Sequence, residues 1–131
     1  MYANALDNVL DELNKYNHAI EGALISSHDG LAMASVLDGD ANEELISAMS
    51  SALFCMGARA GDEMGRGALE HVVALCERGY ILLMNAGDEA ILAILAQNNA
   101  SLSDLLPSAM DAAQAISKIL LAHPISQSSS T

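Results

Sequence analysis

The sequence has no tryptophan, one phenylalanine and three tyrosines, so any core it builds is aliphatic. Material for that core is ample. Hydrophobic residues make up 52% of the 131, seven of them Met, and the length suits one domain. Positive charge is almost as scarce as aromatic rings. Only Lys15, Arg59, Arg66, Arg78 and Lys118 carry it, and the formal net charge is −12. Nucleic acid requires several phosphate-neutralising cations on one surface, so that class of partner is excluded. An anionic membrane surface repels such a chain, whereas a basic patch on a protein partner suits it.

Cysteine is limited to Cys55 and Cys76, with no C-x-x-C pair and no Cys/His cluster, so neither zinc nor a disulfide framework is expected. Both lie in apolar surroundings, which predicts two buried, reduced thiols in a cytoplasmic protein. The N-terminal MYANALDNVL lacks the basic region of a signal peptide and reads as an amphipathic helix. The longest apolar run, Ile91 to Ala96, is of strand length and far short of the roughly 20 residues that span a bilayer. No membrane insertion is expected.

What is present is strong periodicity. Tyr2, Leu6, Val9, Leu10, Leu13 and Tyr16 recur at helical spacing and predict a first helix over about Ala3 to Tyr16. Ala19 to Ser27 and Leu31 to Leu37 read as strands, and the Asp29-Gly30 pair between them is a hairpin signal. Asn42 to Arg66 reads as a second helix, capped by Asp40 or Asn42, with Glu43 and Glu44 complementing its dipole. Three strands follow at Leu69 to Glu77, Tyr80 to Asn85 and Ala90 to Ala96, separated by Arg78-Gly79 and Gly87-Asp88. This is the pattern of an antiparallel meander. A third helix is expected from about Asp104, with Pro107 in its first turn, Ser103 or Asp104 as cap, and His123-Pro124 as its end. The order is α-ββ-α-βββ-α in a single domain, residues 1–122, with residues 123–131 a polar, disordered tail. The strands are apolar almost throughout, which predicts a sheet covered on both faces.

Catalytic constellations are missing. His18, His28, His71 and His123 show no metal-ligand spacing. A His28-Asp29 acid/base pair is conceivable, but the simpler reading has Asp29-Gly30 making the turn and His28 solvated. His71, near the start of a strand, reads as a surface or interface residue. No lysine follows the glycines in P-loop fashion, and G-x-G-x-x-G is absent. Ser50 and Ser51 lack a nucleophile elbow. No cofactor and no enzymatic activity are expected. The function lies in a surface.

Four glycines remain to be explained, Gly57, Gly61, Gly65 and Gly67 in FCMGARAGDEMGRG. Three in a lone helix cost roughly 3 kcal/mol against alanine. Gly57, Gly61 and Gly65 form one ridge at i, i+4, i+8, extended by Ile46, Ser50 and Phe54. The ridge runs beside a stripe of Leu45, Met49, Leu53, Met56, Ala60 and Met64. One part of this wide arc packs on the chain's own sheet, and the other needs a second partner. Small residues let helix axes approach closely. We expect the ridge to meet its own copy across a two-fold axis. The alternative is that the glycines allow close packing on the chain's own sheet or mark the helix end.

Together GALISSHDGLAMAS (Gly22 to Ser35), ISAMSSALFCMGARAGDEMGRG (Ile46 to Gly67) and GYILLMNAGDEAILAILA (Gly79 to Ala96) resemble the Roadblock family, the dynein-light-chain-related group. The resemblance covers about Ala3 to Leu121. It implies an α/β sandwich with a five-stranded antiparallel sheet, helix two on one face and helices one and three on the other. It further implies a homodimer formed through helix two and the strand after it. On this basis the expected interface is Ile46, Ser50, Phe54, Gly57, Gly61, Gly65, His71 and Val73. Prokaryotic relatives often partner small Ras-like GTPases, some as activating proteins, including those that control polarity in gliding bacteria. The activating type repositions the partner's own groups and supplies no arginine finger. Ser47, Ser51, Arg59 and Arg66 are expected to touch such a partner, and no catalytic residue is carried over.

The leading expectation is therefore a non-catalytic homodimeric regulator or scaffold for a small Ras-like GTPase. Two alternatives stand beside it. One is a nucleotide-independent adaptor in a signalling or motility complex. The other is a small-ligand sensor with a pocket between sheet and helix.

Overall fold

A computed structural model of the chain describes residues 2–122. Its elements are α1 (Tyr2–Tyr16), β1 (Ile20–Ser27), β2 (Ala32–Val36), α2 (Glu43–Glu63), β3 (His71–Cys76), β4 (Gly79–Asn85), β5 (Ala90–Ala96) and α3 (Leu102–Ala122). The five strands form one antiparallel sheet in the order β2-β1-β5-β4-β3. This is the order of elements and the α+β fold that the sequence predicts. The expected His123-Pro124 stop and the polar tail lie outside the described residues.

Alternation along the strands divides the core in two. Ala23, Ile25, Leu82, Met84, Leu92 and Ile94 face α1 and α3, with Leu6, Leu10, Leu105 and Ile116 packed on them. Leu83, Ile91 and Ala93 face α2 and meet Phe54, the only phenylalanine. The register fixes these faces, since directly paired residues share a side: Leu82 opposes Ile94, and Leu83 opposes Ala93. β1 and β5 lie in the middle of the sheet and are buried almost throughout. β3 is different. It forms an edge and is mostly half-buried or exposed, which corrects the expectation that both faces of the sheet are covered everywhere. α2 packs on one face of β3, and no described helix packs on the other.

The ends of α2 follow from capping. The Asn42 side chain accepts from the Leu45 N–H at 3.1 Å, which settles the cap on Asn42 rather than Asp40. Asn42→Ala should cost about 1 kcal/mol, measured as a lower urea midpoint at unchanged slope. The helix stops at Glu63, three residues before the expected Arg66. Arg66 N–H donates to Gly61 O at 2.7 Å and Gly65 N–H to Asp62 O at 3.2 Å, with Gly65 at φ +68°. That is a Schellman motif, and its left-handed position calls for glycine. α3 begins earlier than expected, at Leu102, so Pro107 is its sixth residue. Ser101 caps it, accepting from the Asp104 N–H at 3.4 Å. Leu105 is fully buried and Leu102 packs on the core, so apolar burial draws the first turn into the helix ahead of the proline.

Candidate functional site: the outer face of the second helix

α2 presents two unlike faces. The inner one is built from small residues and one ring: Ser47, Ser50, Ser51 and Phe54 are buried. Ser47 Oγ donates to Ser26 Oγ at 2.9 Å, and Ser26 Oγ donates to the Ser27 carbonyl at 2.7 Å. The hydroxyls of these two buried serines are thus satisfied, as burial demands. Ser51 Oγ donates to the backbone carbonyl of His28, which ties the tip of the β1–β2 hairpin to the helix. His28 follows its backbone inward. Its ring stands edge-on to Phe54, centroids 6.2 Å apart, and its Nε2 is buried without a hydrogen-bond partner. The expectation of a solvated His28 is corrected on this point.

The glycine ridge belongs to the same inner face. A Cβ on Gly57 would stand 2.9 Å from Val72 Cγ2 and 3.3 Å from Leu69 Cδ2, and one on Gly61 would stand 3.0 Å from the Gly67 carbonyl oxygen. Lacking Cβ atoms, the helix settles close to β3 and to its own closing turn. Of the residues expected at a dimer interface, Ser50, Phe54 and Gly57 are thus occupied within the protomer. Gly61 and Gly65 build the helix end. His71 and Val73 lie on β3 opposite Met84 and Leu82, so their side chains point to the α3 side of the sheet, away from α2. Ile46 lies at the margin of the outer face. Ser47 and Ser51, expected to touch a partner, are buried against β1 and the hairpin, which corrects that expectation. Arg59 and Arg66 are exposed.

The outer face carries the large apolar side chains. Leu45 is 54% exposed, Met49 61%, Leu53 40% and Met56 66%. At i, i+4, i+8 and i+11 they form one continuous stripe. Beside it an open groove of about 460 Å³ runs down to the sheet, lined by Ile46, Met49, Ala52, Leu53, Ile81 and Leu95. Scattered apolar residues on a surface are ordinary, but a contiguous stripe with an apolar groove marks an interaction site. β3 borders the same side with its outer backbone edge unpaired among the described residues. Cys55, on α2, and Cys76, at the end of β3, are exposed free thiols, which corrects the expectation of buried ones. Apolar neighbours in sequence misled there, because Leu53, Met56 and Leu75 are themselves on the surface and only Phe54 turns inward.

Among the described residues, no group of three or more His, Cys, Asp or Glu could hold a metal ion. No described helix is long and apolar enough to cross a membrane. Burial pushes the phenol of Tyr80, which is 5% exposed, above its ordinary pKa.

Comparison with known proteins agrees with this architecture. The profile of the Roadblock/LC7 domain matches residues 5–96. An uncharacterized protein of Methanocaldococcus jannaschii, MJ0310, is 42% identical over 90 residues, covering 69% of this chain and 77% of its own. The Roadblock/LC7 domain from Streptomyces avermitilis superposes with a TM-score of 0.82 at 25% identity, over 88% of this chain and 97% of that one. The gliding protein MglB of Thermus thermophilus shares the fold, with a TM-score of 0.78 at 18% identity over 90% of each chain. The chain belongs to the Roadblock/LC7 family.

Proposed function

We propose that the protein is a non-catalytic homodimeric regulator that binds a small Ras-like GTPase on a surface built from paired α2 helices. The observation that carries this reading is the exposed stripe Leu45, Met49, Leu53 and Met56, a face with no partner among the described residues. A two-fold axis beside β3 would bring two such stripes together and let the two β3 edges pair, extending the sheet across the dimer. Family membership supports it, since pairing through this helix and strand is what the Roadblock resemblance implies. The outward stripe replaces the glycine ridge as the surface that meets the copy.

Regulation would act through differential affinity. A dimer that fits one arrangement of the GTPase switch segments better than the other shifts the population toward it by the difference in binding free energy. Arg59, on the last turns of α2, and Arg66, just beyond its end, are exposed and would contact the partner in this reading. The test uses a cognate GTPase. Its rate of GTP hydrolysis or of nucleotide exchange is expected to change at least about tenfold at saturating dimer, and such a change corresponds to about 1.4 kcal/mol. Unchanged hydrolysis and exchange, with equal affinity for both nucleotide states, would leave a static adaptor instead.

A further inference from the structure

The sheet has two rims, and only one of them enters the pairing proposed through α2 and β3. The other is β2. α1 packs on β2 and so does α2, whose Glu43 accepts from Ser35 Oγ at 2.7 Å. What β2 offers outward is therefore its backbone edge, unpaired among the described residues. Native edge strands are commonly blunted by a charge or a proline. Ala32–Val36 reads AMASV and carries neither. Its one register shift lies at the hairpin end, between Ile25 and Ser26. The two rims also differ in the charge beside them. Glu70 precedes β3, and Glu77 and Arg78 follow it, all exposed. Antiparallel pairing of β3 with its copy brings Glu70 of one chain towards Arg78 of the other, which suits a copy. β2 has no such balance. Asp29 is exposed at the hairpin tip before it, and Asp38 and Asp40 are exposed in the loop after it. Residues 16–58 hold no lysine or arginine. A second copy on this rim, in either direction, would set carboxylates against carboxylates, and facing like charges are destabilising.

We propose that the β2 rim is a docking site for an extended segment of a second protein, with lysine or arginine at both ends, which adds as a sixth strand. The row of N–H and C=O groups fixes the occupant's conformation, since an extended backbone matches its spacing. The carboxylates fix its charge. Cations at its two ends answer Asp29 on one side and Asp38 and Asp40 on the other. Apolar neighbours lie along the way. Leu31, just before β2, is 68% exposed, and Met33 and Val36 are half-buried against the core. The five residues of β2 span about 17 Å, which about five extended residues of the occupant match. The rim shares no residue with the α2 stripe or with β3. It therefore stands whether or not the α2 reading does, and a dimer joined at β3 would carry one such rim at each end of its sheet.

The test is fluorescence anisotropy of a labelled synthetic peptide of about nine residues, alternating valine and threonine between paired lysines at each end. It is titrated with the full chain, and saturable binding is expected. In an added strand only one alternate set of backbone N–H groups faces the sheet. N-methylation of one set should therefore weaken binding at least about tenfold, and methylation of the other less than about twofold. Asp38→Lys together with Asp40→Lys should weaken it several-fold, and Glu70→Lys beside β3 less than about twofold. The substituted side chains are all exposed, so folding is expected to survive, and circular dichroism checks it. Absence of binding at millimolar protein, an equal response to both methylation patterns, or indifference to the two aspartate substitutions overturns the proposal. Weakening by Glu70→Lys instead would give the peptide to the β3 rim and overturns it too. Binding that emerges only after residues 123–131 are removed would give the rim to the chain's own tail, and overturns it equally.

Discussion

Met49→Glu is expected to convert the proposed dimer to monomers without unfolding the chain. In the protomer Met49 is 61% exposed and stands mid-stripe on α2, so a glutamate there is solvated, and surface changes of this kind stay within about 0.5 kcal/mol of neutral. In the paired state the same carboxylate is buried against a second apolar stripe. Two-fold symmetry supplies it twice, near its own copy. Loss of the apolar contact and burial of unpaired charge should weaken association by about 2–4 kcal/mol, roughly 30- to 1000-fold in dissociation constant. Sedimentation at low micromolar concentration should show twice the chain mass for the unaltered protein and the single chain mass for the variant, at equal thermal midpoints. A variant that still sediments as a dimer would place the two-fold contact elsewhere.

Gly57→Leu should do the reverse and damage the fold itself. The new Cβ alone would press to 2.9 Å from Val72 Cγ2 and 3.3 Å from Leu69 Cδ2, and Val72 is β-branched, with little rotamer freedom to retreat. The rest of the leucine must lift α2 off β3. Overpacking of this kind costs about 1–3 kcal/mol, and removal of an interior glycine returns less than about 1 kcal/mol of helix propensity. We expect a net loss of about 2 kcal/mol, read as a lower urea midpoint in the Met49→Glu background, where dimerisation makes no contribution. Full stability there, with loss of the dimer in the otherwise unaltered chain, would return the glycine ridge to the interface.

The contrast between these substitutions shows where sequence reading succeeds and where it stops. Strand and helix positions follow from periodicity, Asp29-Gly30 marks a turn by local chemistry alone, and the same chemistry narrows the cap of α2 to Asp40 or Asn42, between which the structure decides. The orientation of α2 is another matter. Hydropathy favours the Leu45, Met49, Leu53 and Met56 stripe as the buried one, yet the helix buries Ser47, Ser50, Ser51 and Phe54 and sets the half-buried Gly57 against β3. Close approach to the sheet leaves no room for long side chains, and serines whose hydroxyls find Ser26 or a hairpin carbonyl are buried at little cost. A run of Ser and Gly at helical spacing was the available signal, and it is ambiguous between packing inward and packing on a copy. The exposure of β3, and with it Val73, Leu75 and Cys76, depends on strand order. β5 pairs with β1 and pushes β3 to the rim, and nothing local to β3 reports that. His28 likewise reads as a turn residue until the hairpin is seen to fold onto α2.

The measurement that bears most directly on the proposed function is affinity capture from lysate of the source cell with the tagged full chain. It is run in parallel with a non-hydrolysable GTP analogue and with GDP. The account predicts a small Ras-like GTPase retained in one nucleotide state and lost in the other, with retention abolished by Met49→Glu. A GTPase captured equally in both states, or none captured in either, would contradict it.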